Sequence, residues 1–227
     1  MTTMAGRLQA KRAVVTDCGE YNGADIAALF QEEGAEVVAS SDDLTAPDAA
    51  EALIRSAGRV DILIANLARP FAFRPAAEQD DREMQRLMEA IFYPLHRLVR
   101  AVVPQMLERK RGKIVVVGST AGIKGRSGGV ALYGAARGAQ HAYMRNLAHE
   151  VAPYINVNGT AQSYVDNLTY WPHDYRQTDE FRQRMAEVPA ARLGSGRELA
   201  QTVLFLAGPE SDFFYGQIIP FAGGWAV

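Results

Sequence analysis

Short apolar runs alternate with longer segments of helical periodicity along the whole chain. RAVVT (12–16), AEVVAS (35–40), VDILIAN (60–66), KIVVVGS (113–119), INVNGTA (155–161) and QIIPFAG (217–223) read as strands. Their apolar character is continuous rather than alternating, which suits strands buried on both faces of a parallel sheet. Between them, 22–33, 46–57, 79–109, 132–151 and 196–207 carry helical patterns, and Gly34 and Gly58 stand where helix C-caps belong. Strand–helix alternation with short connections predicts the α/β class. The expected architecture is a doubly wound parallel sheet in three αβα layers, about six parallel strands plus an edge strand, as a single domain over 1–227. In such sheets the site lies beyond the carboxyl ends of the strands. This chain puts Thr16, Asn66, Ser119 and the TAQS run (160–163) there.

Composition narrows the function classes. A length of 227 residues suits one large α/β domain. A net charge of −2 gives no basic surface for nucleic acid. The one cysteine, Cys18, excludes a disulfide framework and reads as an inert thiol. The opening MTTMAGRLQAKR lacks the apolar core of a signal peptide, and no run of about 18 apolar residues reads as a membrane span. A soluble, cytoplasmic protein is expected. His96, His141, His149 and His173 show no metal-ligand spacing, so no metal site is expected. His141 and His149, eight apart on one helix, are expected at solvated or interface positions.

The candidate chemistry lies in Ser119, Tyr133 and Arg137. Ser119 closes a strand; Tyr133 and Arg137 are four apart in a helical segment and so share a face. A guanidinium beside a phenol stabilises the phenolate, whose ordinary pKa is near 10. With a hydroxyl from the neighbouring strand to hold the substrate oxygen, the pair makes a base for a hydroxyl or an acid for an alkoxide. The turn after the first strand, TDCGEYNG (16–23), is where many α/β enzymes cradle a dinucleotide pyrophosphate. Here Tyr21 stands between Gly19 and Gly23.

These features carry a resemblance. The strand–turn–helix at 12–33, IANLA at 64–68, GSTAG at 118–122, the Tyr-x-x-x-basic helix and the GGW end at 223–225 are similar to the short-chain dehydrogenase/reductase superfamily, which has a Rossmann-like fold. The chain departs from the superfamily's dehydrogenases at several points. Arg137 stands in place of lysine, and the two are not interchangeable. Asp17 and Tyr21 stand at glycine positions of the turn. Ser40 stands where an acidic or basic residue reads the adenosine ribose. The chain then runs almost directly from VVAS to DLT (43–45), about one helix and one strand short. Asp42, 19 residues after Gly23, keeps the spacing of a ribose-binding acid.

The departures resemble the haloalcohol (halohydrin) dehalogenases, a cofactor-independent branch. Its turn pattern, T-x-x-x-x-[FY]-x-G, is matched by Thr16, Tyr21 and Gly23. The resemblance implies a catalytic set of Ser119, Tyr133 and Arg137 with no cofactor. It implies a halide pocket from Tyr21, Gln162, Ser163, Tyr164 and Val165, with Tyr170 closing the wall. Phe71, Phe73, Thr120 and Ala121 are the expected substrate pocket. Thirteen residues separate Ser119 from Tyr133 where the family has about twelve; Thr120 would restore twelve, and strand alignment favours Ser119. The implied activity converts vicinal haloalcohols to epoxides with loss of halide and proton. In reverse it opens epoxides with azide, cyanide or nitrite. A homotetramer is implied as well. Two rivals stand beside it: an NAD(P)-dependent reductase with an atypical turn, and a non-catalytic Rossmann-like anion-binding protein.

Overall fold

The computed structural model describes residues 6–19 and 21–226; Glu20, within the turn, and both chain ends lie outside the described residues. The six strands are β1 (Arg12–Val15), β2 (Glu36–Ala39), β3 (Ile62–Asn66), β4 (Gly112–Ser119), β5 (Ile155–Gln162) and β6 (Ile218–Phe221). They form one sheet in the order β2-β1-β3-β4-β5-β6, parallel at every pairing. The predicted additional edge strand is not among the described residues: β2 ends the sheet on one side and β6 on the other.

The helices are α1 (Gly23–Glu32), α2 (Ala49–Ala57), α3 (Asp81–Leu87), α4 (Tyr93–Glu108), α5 (Ala131–Val151), α6 (Asp179–Ala186) and α7 (Gly196–Ala207). The continuous apolar runs are explained by the two faces of the sheet. On β3, Leu63 and Ala65 pack toward α2, α4 and α5, while Ile62 and Ile64 pack toward α1 and α7. On β4, Ile114 and Val116 face the first layer and Val115 and Val117 the second. Each inward side chain removed from water contributes about 1.5–3 kcal/mol.

The predicted 79–109 helix is broken. A π turn over Met88–Phe92 separates α3 from α4. Pro94 lacks the N–H that the Ala90 carbonyl would take in a regular helix, so the ladder is interrupted there. The helix α6 was not legible because it is mostly polar, with only Met185 buried. Gly34 and Gly58 close α1 and α2 at φ 85° and 66°.

The direction of winding reverses between β1 and β3, which opens a crevice at their carboxyl ends. One buried hydroxyl ties those ends together. Thr16, just beyond β1, donates through Oγ1 to the Asn66 carbonyl oxygen at 2.8 Å. Thr16→Val keeps the shape and removes the donor. It is expected to destabilise the fold by about 1–3 kcal/mol, read by urea unfolding; unchanged stability would show the bond to be dispensable.

Candidate active site

Four loops converge on the crevice: the turn after β1, the segment after β3, the GSTAG segment after β4, and the chain after β5. They enclose a cavity of about 430 Å³. Its wall includes Ser119, Thr120, Ala121, Tyr133 and Arg137, and also Tyr21, Gln162, Ser163, Tyr164, Val165, Tyr170, Phe71 and Phe73. Every site residue expected from the sequence therefore reaches the same space. Phe73 does so from the rim, 54% exposed.

The helix α5 delivers the phenol and the guanidinium together, as the i, i+4 spacing requires. Arg137 Nε donates to the Tyr133 hydroxyl at 3.0 Å. Arg137 is buried, and Nη1 donates to Gln140 Oε1 at 2.9 Å and, more distantly, to the Val117 carbonyl at 3.5 Å. A positive charge thus stands against the oxygen that becomes negative if Tyr133 gives up its proton. Ser119 ends β4, and its Oγ accepts from the Ala121 N–H at 3.3 Å. Thr120 is buried beside it. Both hydroxyls line the cavity.

An array of rings runs from the phenol to the β1 turn. Phe71 stacks on Tyr133, centroids 4.0 Å apart at 12°. Phe71 meets Tyr170 at 6.4 Å, and Tyr170 meets Tyr21 at 5.5 Å. The Tyr170 hydroxyl donates to the Arg69 carbonyl at 3.2 Å, joining the loops after β3 and β5. Burial, then the neighbouring Tyr133 and Tyr21, push its pKa far up, so it stays a neutral donor. Tyr164, on the same cavity wall, is stacked with Trp171 at 5.6 Å and edge-on to Trp225 at 5.5 Å. It belongs to an outer aromatic wall with Tyr175 and Phe181. Sequence reasoning missed that wall, because its rings come from irregular chain and from α6.

The β1 turn is tight and unusual. Asp17 and Tyr21 have φ of 54° and 55°, and Tyr164 in the facing loop has 55°. The Asp17 carboxylate accepts from the Ala68 N–H at 3.2 Å, and its carbonyl accepts from Asn66 Nδ2 at 3.3 Å. A Cβ on Gly23 would overlap the Asp17 carbonyl, so the turn closes on itself. Asn22 spends its side chain on the Asp166 carbonyl at 3.0 Å. Beyond β2, Ser40 donates to Asp42 at 2.9 Å. Cys18 is half-buried, with its thiol pushed up to about 11 by burial, which fits an inert thiol.

His141 corrects an expectation. It is buried, not solvated, while His149 is exposed, so the two do not share a face. Its ring sits between Gly118 and Gly122: a Cβ at Gly118 would overlap Nε2, and one at Gly122 would lie 2.7 Å from Nδ1. Among the described residues no group of three or more histidine, cysteine or acidic side chains gathers as a metal site would require, and no helix is long and apolar enough to cross a membrane.

A parallel αβα sheet with a tyrosine and a basic residue one helical turn apart, sharing a cavity with a strand-end serine, is a Rossmann-type arrangement able to move a proton at a substrate oxygen. A family profile described as enoyl-(acyl carrier protein) reductase matches residues 12–226. The chain belongs to the short-chain dehydrogenase/reductase family. It is 31% identical to a 3-oxoacyl-[acyl-carrier-protein] reductase of Vibrio cholerae, over 96% of this chain and 98% of that one. Among solved structures, one described as a dehalogenation enzyme has a TM-score of 0.89 at 28% identity, over 96% of this chain and 99% of that one. A gluconate 5-dehydrogenase from Burkholderia cenocepacia, in complex with NADP and tartrate, has a TM-score of 0.87 at 25% identity, over 96% of both chains.

Burial, reinforced by the Arg137 charge, holds His141 neutral, with its pKa down to about 4 from the ordinary 6.5. The unfolded chain takes up a proton near pH 6.5 that the folded protein refuses until about pH 4. Stability from this residue is therefore full above pH 6.5 and falls as the pH drops toward 4, by up to about 3 kcal/mol. His141→Gln, neutral at every pH, is expected to flatten that slope in urea unfolding. Parallel slopes in both proteins would contradict it.

Proposed function

We propose that the protein is a cofactor-independent haloalcohol dehalogenase built on the short-chain dehydrogenase/reductase frame. Tyr133 takes the proton of a vicinal haloalcohol, with the Arg137 charge beside the phenolate and Ser119 holding the oxygen. The alkoxide attacks the neighbouring carbon from the side opposite the halogen. The C–O bond forms as the C–halogen bond breaks. Epoxide and halide result, and the proton on Tyr133 passes to solvent. In reverse, Tyr133 protonates the epoxide oxygen while a small anion attacks carbon.

The observation that carries this reading is Tyr21. It lines one cavity with Tyr133 and Arg137 and packs on Tyr170, at a turn position where the superfamily pattern has glycine. Weakly hydrated anions suit such a corner, because aromatic rims are partially positive. The same turn does not fit a dinucleotide. Its helix N-terminus is closed by Tyr21 and by the Asn22–Asp166 contact, and the Asp17 carboxylate lies where phosphate would need N–H donors. No strand flanks β2 to wall an adenosine pocket among the described residues. A tetramer of like chains belongs to the same proposal.

The comparisons as a set favour a second reading, an NAD(P)-dependent oxidoreductase. The family profile and the Vibrio cholerae relative are both described as reductases. That reading uses the same Tyr133–Arg137 pair and differs in what fills the Tyr21 corner.

Halide release from a simple haloalcohol without added cofactor is expected, and calorimetry with NADPH is expected to show no binding. Stoichiometric micromolar NADPH binding would establish the oxidoreductase reading instead. Tyr133→Phe is expected to lower kcat at least about a hundredfold with the fold intact. Retention of a tenth of the rate, a loss of only about 1.4 kcal/mol, would exclude Tyr133 as the base. Tyr21→Ala is expected to weaken bromide inhibition about tenfold; equal bromide affinity would move the anion site elsewhere.

A further inference from the structure

Gln140 was not singled out by the sequence, yet it is fully buried and stands one turn beyond Arg137 on the α5 face that carries Tyr133. Its amide joins two groups of opposite demand. Oε1 accepts from Arg137 Nη1 at 2.9 Å, and Nε2 donates to the Ile91 carbonyl at 2.8 Å. A guanidinium only donates and a carbonyl only accepts, so one orientation of the amide satisfies both. The Ile91 carbonyl belongs to the π turn ahead of Pro94, an irregular point of backbone rather than a regular helical turn.

The consequence falls on the guanidinium. Arg137 has five N–H groups. Nε is on Tyr133, and Nη1 is on Gln140 and the Val117 carbonyl. Among the described residues the Nη2 pair has no hydrogen-bond partner, on a residue that lines the cavity. Gln140 therefore decides which edge of the plane Tyr133 meets. Without its acceptor, one buried N–H of Nη1 loses its only close partner. A charged group left so would turn to recover one, carrying Nε off the phenol.

We propose that Gln140 is a positioning residue for the Tyr133–Arg137 pair. Braced by the Ile91 carbonyl, it holds Nε on the phenol oxygen and leaves the Nη2 edge to the cavity. The inference rests on Tyr133 and Arg137 being the acid–base pair, which both functional readings share.

Two substitutions separate positioning from bulk. Gln140→Met keeps the length and removes both the acceptor for Arg137 and the donor to the Ile91 carbonyl; Gln140→Glu keeps the acceptor and removes the donor. Both are checked for wild-type thermal unfolding. Two readouts are used: the pH–rate profile, and a titration of tyrosinate absorbance with Tyr133→Phe as baseline. Gln140→Met is expected to lower kcat roughly ten- to hundredfold with KM within about twofold. The rate midpoint and the Tyr133 part of the absorbance titration both move alkaline by about one unit. Gln140→Glu, which keeps the acceptor but loses the brace and adds a negative charge beside the phenol, is expected to move the titration alkaline as well. If Gln140→Met does not fold, Gln140→Asn, whose amide is too short to span both partners, is read in the same way. A folded Gln140→Met with wild-type kcat and an unmoved titration overturns the proposal. The absorbance titration needs no substrate, so absence of dehalogenation in the wild type would sink the functional reading while still deciding this one.

Discussion

A guanidinium stands inside this protein, 2% exposed, and the site is arranged around keeping it there. Arginine cannot shed its proton to escape burial. Removing such an ion from water costs several kcal/mol in real proteins unless its donors are met. The partners that meet them come from separate elements: the Tyr133 phenol from α5, the Val117 carbonyl from β4, and the Gln140 amide, braced by the π turn at 88–92. Satisfying one buried charge therefore ties the end of β4 to the face of α5 and to the irregular helix beneath it. The phenol oxygen gains its place in the cavity from that constraint.

The opposite wall is held by backbone that resists its own preferences. Asp17, Tyr21 and Tyr164 all adopt positive φ without being glycine. Each such conformation costs on the order of 1–3 kcal/mol and persists only where the surroundings enforce it. Around Asp17 the enforcement is visible: its carboxylate takes the Ala68 N–H and its carbonyl takes the Asn66 amide. The result aims Tyr21 into the cavity and against Tyr170. Of the six described non-glycine residues at positive φ, Tyr21 and Tyr164 line the cavity and Asp17 lies in the turn that carries Tyr21; Ala10, Lys110 and Ala191 lie elsewhere.

Family membership and this corner speak to different levels of the molecule. The sheet order, the strand-end serine and the tyrosine helix belong to the short-chain dehydrogenase/reductase frame, and that frame supports more than one chemistry. A proton acceptor beside a fixed cation serves a hydroxyl whether the carbon bearing it gives up hydride or the next carbon gives up halide. What distinguishes the cases is the volume beside Tyr133. Here aromatic side chains and a self-closing turn occupy it.

The sequence by itself determined the layering and the pairing of Tyr133 with Arg137, because both rest on local periodicity. β3 and β4 read as buried strands since both their faces are apolar, and Tyr133 and Arg137 read as a pair since four residues make one helical turn. The same periodicity placed Gln140 at i+3 from Arg137, but nothing local said what its amide would meet. Its partner is Ile91, 49 positions away, in a turn that exists because Pro94 breaks the helix. His141 was misread for a related reason. Helical spacing gives a residue's face but not what packs there, and only the close approach of Gly118 and Gly122 makes room for a buried imidazole. The outer aromatic wall and the strained turn were decided in the same way, by contacts between segments far apart in the chain. Periodicity is a property of one stretch of backbone, whereas burial of a polar group, the shape of a cavity and the partner of a charge are properties of several stretches brought together.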